Sequence, residues 1–107
     1  MYGPDDDEFR KHYASLPSDQ KKAELARTIE GLDQFNDLMR QGIYFAFMEA
    51  SIGEKVPAEA IAGNLDEIAE IGTLLHGADD ALDRRFDRAM EEARRGLAPW
   101  LASPQAG

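Results

Sequence analysis

The chain has 107 residues, no cysteine, and 12 Lys and Arg against 21 Asp and Glu, for a net charge of −9. That length holds one hydrophobic core and not two. Without cysteine there are no disulfides, thiolate metal ligands or cysteine nucleophiles, and the acidic balance repels phosphate backbones and anionic lipid, so direct nucleic-acid or membrane binding is not expected.

Residues 1–17 read as an N-terminal arm with a short helix over 5–15. The run Asp5 to Glu8 suits a positive helix N-terminus, and Phe9 and Tyr13 lie four apart on one face. The acidic start lacks the basic-then-apolar layout of a secretory signal, and no apolar run reaches membrane-spanning length, so a cytoplasmic protein is expected. Pro17 interrupts, and Ser18 is the expected N-cap of the next helix.

From 18 to 52 the pattern predicts a first long helix. Leu25, Ile29, Leu32, Met39, Ile43, Ala46 and Ala50 recur in steps of three and four, Phe35 and Leu38 widen that face, and Asn36 interrupts it. Gly31 and Gly42 each cost about 1 kcal/mol relative to alanine inside a helix, and read as places of close approach or bending. Near its end stands Ile43-Tyr44-Phe45-Ala46-Phe47-Met48, six apolar residues in a row. At about 100° per residue they leave no side of the helix polar. One neighbour cannot cover such a belt, which points to a partner or a second copy.

Gly53 is placed to close that helix in a left-handed conformation, and Pro57 to open the next. The second long pattern, over 57–98, runs through Ile61, Leu65, Ile68, Leu75, Leu82, Phe86, Ala89, Ala93 and Leu97, with Gly72 and Asp79 off pattern. Its phase holds across Gly77. We therefore expect a short helical turn at 57–62 and a main helix over 64–97, with breaks signalled at Gly63-Asn64 and at Gly77, and with Asp80–Arg84 and Glu91–Arg95 as exposed ion pairs. Gly96 and Pro99 should end it, leaving a tail over 99–107 in which Trp100 or Leu101 packs back.

The expected fold is all-α: a long antiparallel helical hairpin with a short N-terminal helix, two copies of which would form a four-helix bundle. A compact monomer broken at Gly31, Gly63 and Gly77 is the rival arrangement.

Catalytic patterns are weak. His12 follows Glu8 by four residues in a charged terminal segment, and His76 sits beside Leu74 and Leu75; both read as ordinary histidines. Glu49, Glu67, Glu70 and His76 offer the residue types of a carboxylate-bundle metal site, but Thr73 stands where the Glu-x-x-His motif needs its glutamate. There is no phosphate loop, nucleophile elbow or His-Glu-x-x-His pair. No enzyme activity and no cofactor are expected.

Seven carboxylates and no Lys or Arg lie from Val56 to Asp83; then Arg84, Arg85, Arg88, Arg94 and Arg95 follow within twelve residues. The expected function is a non-catalytic protein-interaction module, an adaptor, regulatory subunit or inhibitor, in which Tyr44, Phe45, Phe47 and Met48 meet another chain. Arg84, Arg88 and Arg95 would meet its acidic groups, and the acidic surface would steer a basic partner. The alternatives are an acidic inhibitor that mimics nucleic acid and a ferritin-like metal protein.

Overall fold

A computed structural model describes residues 5–102, with side chains from residue 8 onward. It is all-helical in that range: α1 (Asp5–Ala14), α2 (Ser18–Gln41), α3 (Tyr44–Ile52), α4 (Ala58–Leu75) and α5 (Asp80–Ala102). The acidic side chains expected at the start of α1 before Glu8, and the tail from Ser103 onward, lie outside the described residues.

The predicted hairpin of two long helices is not what forms. The helix expected over 18–52 ends at Gln41, because Gly42 turns left-handed (φ 74°). Its N–H bonds the Met39 carbonyl at 3.0 Å and the Ile43 N–H bonds Leu38 at 3.1 Å, the paired closure of a Schellman motif. Gly53 closes α3 in the same left-handed region, as expected. The cap of α2 differs from expectation as well. Ser18 is already helical, and Pro17 occupies the cap position without a side-chain bond.

The second long pattern splits at one of its two signalled places and not at the other, so the main helix expected over 64–97 does not form. Helix α4 runs straight through Gly63-Asn64, and the break falls at residues 76–79. There Gly77 is left-handed (φ 99°), the Asp79 carboxylate caps α5 by accepting the Leu82 N–H at 2.9 Å, and Asp83 accepts the Gly77 N–H at 3.0 Å. The hydrophobic phase survives this turn because Leu75 and Leu82 both face inward across a hairpin. Neither Gly96 nor Pro99 stops α5, which continues to Ala102. Gly96 lies where a Cβ would sit 3.7 Å from Met39.

Helices α2, α4 and α5 form the body. Because α3 and α4 carry the chain back, α2 and α5 lie parallel: Asp33 pairs with Arg85, Asn36 with the Ala89 carbonyl, and Arg40 with Glu92. Between them lie Leu25, Ile29, Leu32, Ile61, Leu65, Leu75, Phe86, Ala93 and Leu97. Buried Asn36 donates to Ala89 at 3.1 Å, so the polar interruption in the stripe fixes the register of the parallel pair. Gly72 has a similar explanation: the edge of the Phe86 ring fills the space a Cβ there would need. α1 packs on α4, with Arg10 donating to Glu70 at 2.6 Å and the Phe9 and Tyr13 rings 5.0 Å apart.

Candidate functional site

The Phe86 ring fills the seam between α4 and α5 at Gly72 and leaves a mixed polar recess beside it, whereas the seam between α2 and α4 is open and apolar. It forms a groove of about 480 Å³ whose floor is Leu32, Phe35, Ile61 and Leu65, with Leu38, Ile68 and Ile71 along it and Tyr44 and Phe47 at one end. None of its thirteen lining residues carries a formal charge. In a chain that is 31% charged, such a strip is unusual, and concave apolar surface of this size is what binding sites are made of.

Helix α3 forms the rim. It is the most apolar of the five helices and yet contains no buried residue. The predicted belt is thus divided. Tyr44 is half-buried, with its ring 4.6 Å from Phe35 and 5.3 Å from Phe45. Burial raises the Tyr44 phenol above its ordinary value. Phe45 turns to the other side and packs on Trp100 with ring centroids 4.5 Å apart, but Trp100 reaches it as part of α5 and not as the fold-back of a tail. Met48 is half-buried, whereas Phe47 is 52% exposed beside the groove. Ile43 and Ile52 are exposed too, so the large exposed apolar residues of the described chain are confined to α3, the residue that precedes it, and the end of α5.

The arginines stand elsewhere. Arg85 turns to α2 and Arg94 to Asp66 on α4, so Arg84, Arg88 and Arg95 form the outward stripe of α5, and no α5 residue lines the groove. Arg95 pairs with Glu91 at 3.3 Å, as expected, but the Asp80–Arg84 pair does not form. Among the described residues Arg84 and Arg88 are in no ion pair, and with Asp87 they line a shallow recess. The structure therefore separates the two halves of the predicted partner surface.

Glu49, Glu67, Glu70 and His76 are not brought together. Glu70 binds Arg10 and Glu49 faces a recess with Lys55 and Trp100. Among the described residues no three His, Asp or Glu side chains are grouped closely enough to hold a metal. His76 Nε2 lies 3.5 Å from nearly buried Asp83, beside a recess of about 370 Å³. The one hydroxyl lining that recess, Thr73, donates to the Ala69 carbonyl. The acidic run is partly neutralised within the chain, through Asp66 with Arg94, Glu70 with Arg10 and Asp79 with Lys22.

The residues missed by the sequence reading are Thr28, Gly31, Ile68 and Ile71 as groove walls. Their signal was a row of three- and four-residue steps, 28, 31, 35, 38 beside the core stripe of α2 and 61, 64, 68, 71 overlapping that of α4 at Ile61 and Ile68. No helix among the described residues is long and apolar enough to cross a membrane. No protein-family model, curated protein or solved structure matches the chain.

Proposed function

We propose that the protein is a non-catalytic interaction module, an adaptor, regulatory subunit or inhibitor, that works in the cytoplasm by taking the apolar face of another protein into the α2–α4 groove and against α3. The observation that carries this reading is the charge-free lining of the groove, continued by an apolar helix with no buried residue. General acid–base and nucleophilic chemistry need ionisable groups within reach of a substrate, and apart from the Tyr44 phenol the groove offers none. A recessed apolar surface flanked by exposed aromatic and aliphatic side chains is instead suited to helix-in-groove recognition. Homodimerisation, with two such bodies closing on each other, belongs to the same reading.

The test is affinity capture of the native protein with identification of what co-purifies, followed by Phe47→Glu. Phe47 is half exposed, so the substitution leaves the core intact. Capture should fall by a factor of ten or more, and Arg84→Glu on the far side of α5 should leave it unchanged. Retained capture with Phe47→Glu, or loss with Arg84→Glu alone, would move the interface off the groove.

A further inference from the structure

Resting on that reading, we propose that the occupant of the groove is a second copy of this chain, with α3 of each protomer laid into the α2–α4 groove of the other. A twofold interface requires one surface to carry both the projecting and the receiving element. Here both are on one face and continuous, since Phe47 of α3 is itself a lining residue of the groove.

The dimensions agree. The nine residues of α3 rise about 13 Å, and the stretch of α4 from Ile61 to Ile71 that walls the groove rises about 15 Å.

Charge selects between occupants. A basic helix would find no carboxylate in the groove lining, and an acidic one no cation. The contact must be neutral. Helix α3 meets that condition, because its single ionised side chain, Glu49, lines the recess shared with Lys55 and Trp100 and not the groove. A second copy does bring another −9, but that repulsion acts between the bodies of the protomers, through solvent, where salt screens it.

The sign of the salt effect follows. Sedimentation equilibrium of the full chain should give twice the 11.9 kDa chain mass, with a dissociation constant that falls severalfold as salt is raised from about 50 to 500 mM. Phe47→Glu should weaken the dimer by on the order of 100-fold. With benzoylphenylalanine replacing Phe47 in a mixture of light and heavy isotope-labelled chains, light–heavy cross-links to α2 or α4 should form. A monomer at all concentrations, a dimer indifferent to Phe47→Glu, or a dimer that salt dissociates would each overturn the proposal. A monomer whose position 47 cross-links to a different protein in extract would overturn the second copy and leave the docking groove standing. Cross-linking to neither would end both readings.

Discussion

Helices α3 and α5 invert the usual relation between composition and burial. α3 is the most apolar segment of the molecule and buries nothing completely, whereas α5, much more polar, contributes Phe86, Ala89, Met90, Ala93 and Leu97 to the core. The reason is angular. The apolar residues of α5 recur in steps of three and four, so one stripe holds them and its two neighbours cover them together. Those of α3 are consecutive and point in every direction, so its main contact, with α2, leaves most of them wet. Periodicity, more than hydrophobic content, decides what a small domain can shelter.

Substituting one phenylalanine in each helix is the most direct way to break this comparison. Phe86→Ala should lower the unfolding free energy by about 3–5 kcal/mol, while Phe47→Ser, at a dilution where the chain is monomeric, should stay within about 0.5 kcal/mol of the parent in urea unfolding. Equal losses would mean that α3 is as well covered as α5. Next in size is Gly72→Ala. Alanine should favour the helix by about 1 kcal/mol, yet the added methyl displaces the Phe86 ring, so we expect a net loss of about 1–3 kcal/mol. Gly42→Ala tests the junction that makes α3 a separate helix. Alanine is strained at φ 74°, and a loss of about 1 kcal/mol should appear as a lower denaturant midpoint.

The smallest effect concerns the start of α5. The Leu82 amide hydrogen bond, helped by Lys22, holds the Asp79 carboxyl below its ordinary value. A carboxyl lowered on folding stabilises the native state above its unfolded pKa, about 3.9, and that contribution fades as pH falls through the lower folded value. Asp79→Asn keeps a capping oxygen without the titration. Melting temperatures of the two proteins should therefore converge as pH is lowered below about 4, and parallel curves would remove Asp79 from the acid response.

Much of the core was legible. Leu25, Ile29 and Leu32 on α2, Ile61 and Leu65 on α4, and Phe86, Ala89, Ala93 and Leu97 on α5 follow their stripes into the interior. The junctions were legible only in part, since Gly53 closes a helix as expected but Gly42 and the end of α4 do not read as stops. Gly42 reads as a possible bend and not as a stop, because Met39, Ile43 and Ala46 happen to keep three- and four-residue spacing across it. Gly63-Asn64 and Gly77 carry similar local signals, yet only Gly77 breaks the helix. Two carboxylates settle the difference, since Asp83 holds the Gly77 amide and Asp79 caps α5, while Gly63 remains on an exposed, uninterrupted surface of α4. The belt at 43–48 was found, but not its division into Phe45 on Trp100 and Phe47 beside a groove. That division depends on which way the chain leaves Gly42, and no spacing rule records it.

The parallel alignment of α2 with α5 has a kinetic corollary. Its defining contacts join residues 52 and 53 positions apart, so they form only after a long loop has closed, whereas α4 and α5 meet across a four-residue turn. The α4–α5 pair is thus the natural nucleus, and docking of α2 the late event. In any state where α2 has not yet docked, the inward sides of Ile61, Leu65 and Phe86 would face solvent, and a net charge of −9 would oppose association of such molecules.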